Sequence, residues 1–285
     1  METADQIKTV VKEKYGSIAD QPKHDNETSC CGNGCGLAVV DNALMAEDYS
    51  ALKGYLAEAD LGLGCGLPTQ FANIKPSDIV VDLGSGAGND AFVARAMVGE
   101  LGKVIGVDFT ERMIEKARIN TEKLGYRNVE FRLGDIEKLP ITSQVADVVV
   151  SNCVLNLVPD KAKAFAETYR ILKPGGHFSV SDIVLRGRLP EGLRANAEMY
   201  AGCISGAIEK EEYVQIIHEA GFEQIEIQKE KRISIPDDVA RAFLSMEEWE
   251  AFKREDLGIY SITVYGVKPD TLASAPVCCP NGRCA

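Results

Sequence analysis

The sequence predicts an α/β fold, a doubly wound and mostly parallel sheet extended by antiparallel edge strands near its C-terminal end. Three observations carry this. From about residue 77 onward, short continuous apolar runs alternate with amphipathic helical stretches, the pattern of parallel strands buried on both faces. A glycine-rich turn, "DLGSGAG", stands between the first such run and the first such helix. Acidic residues close the next two runs.

Taken in order, "DIVVDL", "KVIGVDF", "VEFRLGD", "ADVVVSN" and "HFSVSDIVL" read as strands, and "DAFVARAMVG", "ERMIEKARINTEKLG" and "DKAKAFAETYRIL" as the helices between them. Pro159 and Asp160 mark the start of the last helix, which is expected to run into "LKPGG". After Leu185 the alternation loosens. A helix around Cys203 ("PEGLRANAEMYAGCISGAI"), another at "KEEYVQIIHEAG", and alternating strands at "FEQIEIQKE" and "GIYSITVYGVK" are expected, the strands as antiparallel additions to the sheet.

Upstream, the opening residues through about Tyr15 have helical spacing, with Ile7, Val10 and Val11 on one side. The polar stretch "SIADQPKHDNETSCCGNGCG" and the later "LGLGCGLPTQFANI" read as irregular structure. No repeat of fixed period is present. The expected division is 1–75, an N-terminal helix with cysteine-bearing loops; 76–184, the nucleotide-binding core; 185–270, a substrate-binding insertion and completion of the sheet; and 271–285, a cysteine-rich tail. The segment "RISIPDDVARAFLSMEEWEAFKREDLG" fits a helical lid, a dimer contact or a surface appendage equally well.

Composition narrows the function. With 285 residues and 45% hydrophobic content the chain buries a full core. Its 43 acidic residues against 31 basic ones leave a formal charge of -12, which repels phosphate backbones and argues against a nucleic-acid partner. No apolar run reaches the roughly 18 residues of a membrane span, and the charged start lacks a signal-peptide core, so a cytoplasmic location is expected. In that reducing compartment nine cysteines are not a disulfide framework; they point to catalysis, redox chemistry or metal binding.

In the glycine loop, Gly84, Gly86 and Gly88 allow a ligand to approach the backbone where a β-carbon would obstruct it. A tight turn with no ligand is the plainer alternative. Asp108 closes the second strand, where a carboxylate can accept hydrogen bonds from two ribose hydroxyls, and Asp135 closes the third. Either acid alone reads as well as a helix cap; both beside that loop point to a nucleotide-like ligand.

The succession DLGSGAG, GVDFT, GDIEKLP and RILKPGG resembles the class I S-adenosylmethionine-dependent methyltransferases over roughly residues 76 to 184. The resemblance implies that Asp82 and the loop residues Gly84, Ser85, Gly86 and Gly88 hold the methionine portion of S-adenosylmethionine. It also implies Asp108 at the ribose, Asp135 with Ile136 at the adenine, and Phe109 and Asn152 at the same donor site. The pattern DxGxGxG departs from the dinucleotide GxGxxG, which favours a methyl donor over NAD.

The cysteines then take on meaning. Cys153 lies just past the end of "ADVVVSN", on the rim where the donor's reactive carbon is expected, and Cys65 and Cys203 occupy segments able to fold over the same rim. For any one of them, ordinary packing is the bland reading, since unpaired cysteine is among the most buried residues. Together they form a soft site. Three thiolates in a pyramid suit trivalent arsenic, whose lone pair on the open face is itself a nucleophile, so no general base and no catalytic transition metal are expected. His24, His177 and His218 share no motif and read as structural or surface residues.

The motifs "GLGCG", "VVSNCVLNLVPDK" and "GCISGA", in that order around a methyl-donor core, resemble the arsenite methyltransferases over about residues 30 to 230. The resemblance implies Cys65, Cys153 and Cys203 as arsenic-binding catalytic cysteines, with Cys153 and Cys203 the main ligands. It implies a redox pairing of Cys65 with an upstream cysteine, Cys35 or Cys31 before Cys30. Its substrates are As(III) or its thiol complexes, with glutathione or a thioredoxin-like protein as reductant and no membrane partner. For Cys278, Cys279 and Cys284 an arsenic relay, a zinc clasp and a chance cluster all stay open. A C-methyltransferase of a quinone precursor or other small aromatic, which makes no use of the cysteines, is the second reading, and a metalloid-binding protein without turnover the third.

Overall fold

The computed structural model describes residues 4–21, 47–187, 206–234, 237, 244–254 and 257–270. The expected helix around Cys203, most of the first cysteine-bearing loop and the C-terminal tail lie outside the described residues.

The core is a seven-stranded sheet. Its strands are β1 (Ile79–Leu83), β2 (Lys103–Asp108), β3 (Val129–Leu133), β4 (Ala146–Asn152), β5 (Leu172–Arg186), β6 (Glu223–Arg232) and β7 (Gly258–Val267). They lie in the order β3-β2-β1-β4-β5-β7-β6. The first five run parallel; β7 pairs antiparallel with β5 and with β6, as the alternating C-terminal runs predict. The chain's direction of winding reverses between β1 and β4, and that switch point opens a crevice at the strands' carboxyl ends.

Alternation within strands supplies two cores. Val81, Leu83, Ile105, Val107 and Val149 face one side, against α5 (Lys161–Ile171) and α6 (Lys210–Glu219), where Phe165, Tyr213 and Ile217 are buried. Val80, Val104, Val148 and Val150 face the other, against α3 (Asn89–Val98) and α4 (Glu111–Leu124), through Phe92, Met113 and Ile114. Asp160 begins α5 by accepting a hydrogen bond from the Lys163 N–H at 2.9 Å, the cap its position after Pro159 anticipates. Gly125 ends α4 in the left-handed conformation, φ +65°.

Two expectations are corrected. "LKPGG" does not extend a helix: β5 begins at Leu172, and the stretch is absorbed as a register irregularity between the Ala146 and Val148 pairings. The N-terminal helix α1 (Ala4–Ala19) forms, but Val10 is 55% exposed. Instead Tyr15 and Ile18 pack against the second core, because α1 lies along α4 and turns Lys8 toward acids at the sheet's edge. The segment "LGLGCGLPTQFANI" is irregular apart from one helical turn, α2 (Pro68–Phe71).

Candidate active site

At the switch point a cleft of about 1150 Å³, open to solvent, is walled by the carboxyl ends of β1, β2 and β4, by α1 and by residues 59–64. Asp82, Gly84, Ser85, Gly86, Asp108, Phe109, Asp135, Ile136 and Asn152 all line it, and so does Cys153. Gly88 does not; a β-carbon there would lie 2.8 Å from the Phe92 ring and 2.9 Å from Phe131. It is glycine because the start of α3 packs tightly and its φ is +100°.

The glycine loop divides in the same way at its other positions. A β-carbon on Gly84 would collide with Val154 at 2.3 Å, whereas one on Gly86, at φ +50°, would meet nothing within 4 Å. Both Gly84 and Gly86 line the cleft, but of these two only Gly86 would send a β-carbon into open space. Asp108 accepts from the Gly86 N–H at 3.0 Å and from the Thr110 N–H at 2.9 Å, so one carboxylate shapes both the glycine loop and the turn ahead of α4. Asp135 accepts from the Glu137 N–H at 2.9 Å and from Lys8 Nζ at 2.7 Å, and Lys8 also pairs with Glu137. Neither acid is a helix cap: Thr110 holds the N-cap position of α4, and no helix follows Asp135 before β4.

Electrostatically the cleft is loaded with buried acid. Burial pushes Asp82 well above the usual carboxylate range, and repulsion from Asp90 and Asp108 adds to it. Asp90 is pushed up to about 6 by burial, with hydrogen bonds from Asn152 and Tyr49 opposing and Asp60 adding repulsion. Burial raises Asp108 as well, against the backbone N–H groups it accepts from. Among the described residues, Asp82 Oδ2, Ser85 Oγ and Asn89 Oδ1 are buried without a hydrogen-bond partner, and all three residues line the cleft. Unpaired acceptors and crowded carboxylates fit a ligand that brings positive charge and donors. The methionine end of S-adenosylmethionine, a sulfonium and an ammonium, meets both needs.

The thiols come next. Cys65 and Cys153 are 1% and 3% exposed and pack in one cluster with Ile183, Ile233, Leu244, Trp249 and Ile259. Cys153 leaves β4 with φ +61°, a left-handed conformation that costs a non-glycine residue roughly 1–2 kcal/mol. Its N–H still donates to the Ser181 carbonyl at 2.8 Å. Such strain, held by its surroundings, is characteristic of functional positions.

Cys65 is pinned at both ends of its peptide unit. Its N–H donates to Asn152 Oδ1 at 3.0 Å, and its carbonyl accepts from Ser261 Oγ at 2.5 Å. The next carbonyl, of Gly66, accepts from Tyr49 Oη at 3.0 Å and from Asn152 Nδ2 at 2.9 Å. The flanking glycines permit this: β-carbons on Gly64 and Gly66 would lie 2.6 Å from Asn152 Nδ2 and 2.5 Å from Ser181 Oγ. Cys203, Cys31, Cys35, Cys30 and the tail cysteines lie outside the described residues.

Sequence reasoning missed Tyr49, Asp90, Ser261 and Trp249. Asp90, the second residue of α3 just after the glycine loop, was findable by its position. Tyr49, Ser261 and Trp249 carry no local signal; long-range contacts bring them in.

A methyltransferase domain family model matches residues 74–221, just over half of the chain. An arsenite methyltransferase of Halobacterium salinarum is 40% identical over 280 residues, covering 93% of this chain and 67% of that protein. Another, of Aquipseudomonas alcaligenes, is 32% identical over 274 residues, covering 93% and 73%. The crystal structure of an arsenic(III) S-adenosylmethionine methyltransferase from Chlamydomonas reinhardtii superposes with a TM-score of 0.62 at 35% identity, covering 73% of this chain and 68% of that one. With relatives of this identity and coverage, and a methyltransferase model over just over half of its length, the chain belongs to the arsenite methyltransferase family of S-adenosylmethionine-dependent methyltransferases.

Proposed function

We propose that the protein transfers the methyl group of S-adenosylmethionine to trivalent arsenic held by its own cysteine sulfurs. The observation that carries this is the packing of Cys65 and Cys153 into one cluster at the end of β4, with Cys153 on the donor cleft. A quinone C-methyltransferase has no use for such a pair.

Glutathione-bound or hydrated arsenite exchanges onto the protein, each new S–As bond sending the thiol proton out with the departing thiol or water. Cys65 and Cys153 supply two sulfurs and Cys203 the third. S-adenosylmethionine, when bound, supplies an electrophilic methyl carbon on a sulfonium. The arsenic lone pair takes that carbon and the electrons of the broken C–S bond stay on the departing thioether, S-adenosylhomocysteine. No proton leaves the attacking atom, so the chain's task is to hold arsenic in line with the carbon. Positioning of that kind is worth roughly 7–11 kcal/mol in well-oriented systems.

Methylation leaves arsenic formally pentavalent. Two thiols return it to the trivalent state by giving up two electrons and two protons as they form a disulfide, Cys65 with Cys35 or Cys31, which glutathione or a thioredoxin-like protein reopens. The reading places this chemistry in a reducing cytoplasm, with residues 76–184 holding the donor and segments 1–75 and 185–270 closing over the arsenic. Among the described residues no helix is long and apolar enough to cross a membrane.

The deciding experiment incubates protein with labelled S-adenosylmethionine and arsenite and follows S-adenosylhomocysteine release together with arsenic speciation. Methylated arsenic from the wild type, lost in C153S and C65S, is expected. Methyl transfer to a quinone precursor that survives both substitutions overturns the reading.

A further inference from the structure

Asn152 stands between the two halves of the site. Its backbone precedes Cys153, and its side chain reaches back to the Cys65 N–H and the Gly66 carbonyl. The same amide nitrogen lies 2.6 Å from Tyr49 Oη and 3.1 Å from Asp90 Oδ2, and Tyr49 Oη lies 2.9 Å from both Asp90 carboxylate oxygens. Tyr49 and Asp90 both face the donor cleft and are nearly fully buried.

An amide so engaged has little capacity left for a ligand. Its oxygen accepts from Cys65 and its nitrogen points at three acceptors within the protein, more than its two hydrogens satisfy at once. Cys65 belongs to a loop with glycine on either side, which by itself specifies little, while Cys153 is anchored to the sheet through Ser181. The only side chain among the described residues that both adjoins Cys153 and bonds the Cys65 backbone is that of Asn152. The requirement it serves is chelation: a trivalent arsenical gains its second and third S–As bonds only if the sulfurs wait at the right separation.

We propose that Asn152, its amide oriented by Tyr49 and Asp90, is a positioning residue that presets the Cys65 thiol beside the Cys153 thiol for a chelating trivalent metalloid. The proposal rests on the thiol-site reading above and adds the residue that makes the two thiols one bidentate site.

The test uses the full chain with Cys30, Cys31, Cys35, Cys203, Cys278, Cys279 and Cys284 replaced by serine, leaving Cys65 and Cys153 as its thiols. Two probes are titrated: phenylarsine oxide, which takes two sulfurs, and methylmercury, which takes one. N152A is expected to weaken phenylarsine oxide binding about tenfold or more, the consequence of losing one or two hydrogen bonds that hold the loop. Methylmercury binding should stay unchanged. Y49F, which keeps the Asn152 to Cys65 bond, should shift arsenical binding in the same direction by less, and answers the question even if N152A fails to fold. Unchanged phenylarsine oxide affinity in both variants, or an equal fall for both probes, overturns the proposal. A parent protein that binds methylmercury but not phenylarsine oxide overturns it too, whereas full-length wild type that binds both probes but turns over no arsenite sinks only the reading of the reaction.

Discussion

Asn152 Oδ1 accepts the backbone N–H of Cys65 at 3.0 Å, so the end of β4 and a loop that precedes the whole sheet are joined between the switch-point cleft and the thiol cluster. Around this junction lie the two thiols, the glycine loop and the buried acids, and each makes a separate prediction.

The acids should make the ligand-free protein less stable as pH rises. Asp90 in the cleft, and Asp182 outside it on β5 where it accepts from Tyr213 Oη at 3.1 Å, are pushed up to about 6 and about 7, each chiefly by burial, against an unfolded value of 3.8. The folded state then holds protons that the unfolded chain releases. The stability they contribute is fully present below 3.8 and is lost as pH climbs through their folded values. Thermal melts between pH 5 and 7.5 are expected to show a falling midpoint, with the slope reduced in D182N.

Donor binding should run the other way. A sulfonium with an ammonium favours ionised Asp82 and Asp90, so affinity for S-adenosylmethionine is expected to rise with pH through about 6, where Asp90 ionises, with the raised Asp82 adding to the rise as it ionises in turn. Titration calorimetry at pH 5, 6, 7 and 8 checks this. A donor affinity independent of pH would remove the assignment of these acids to the cationic end of the ligand.

G84A and G86A should fail differently. In G84A the new methyl meets Val154 at 2.3 Å, an overpacking that costs roughly 1–3 kcal/mol and appears as a lowered melting temperature. In G86A the methyl enters open cleft and meets only the positive-φ strain of roughly 1–2 kcal/mol that G84A pays as well, so loss of donor affinity should exceed loss of stability. Melting curves paired with donor binding separate the two.

Trp249 should guard the thiols. It is the chain's one tryptophan, 4% exposed, and its Nε1 donates to Asp237 at 3.2 Å. W249A is expected to accelerate alkylation of Cys65 and Cys153 by iodoacetamide severalfold and to cost up to about 3–5 kcal/mol of stability, with W249F near wild type in both. Equal alkylation rates in all three proteins would detach α7 (Met246–Arg254) from the site.

The main architecture was legible because its signals are local. Strands β1, β2 and β4 are continuous apolar runs since both their faces are covered, and the glycine loop and the acids at Asp108 and Asp135 sit where strands end. "LKPGG" misled because a bulge and a helix terminus use the same glycine and proline vocabulary. The segment from "RISIP" to "DLG" stayed ambiguous among lid, dimer contact and appendage, since an amphipathic helix does not state what its apolar face covers.

The sequence by itself determined the alternation that winds the sheet, the donor loop, and the cysteine motifs that tie the chain to its family. Only the tertiary structure decided that Cys65 and Cys153 share one apolar cluster, that Trp249 walls it, and that Asn152, Tyr49 and Asp90 lock one loop to another. Periodicity reports which face of an element is buried, a property of neighbouring residues. Contacts between loops follow from how the elements' ends meet in space, and no pattern within either loop encodes the other.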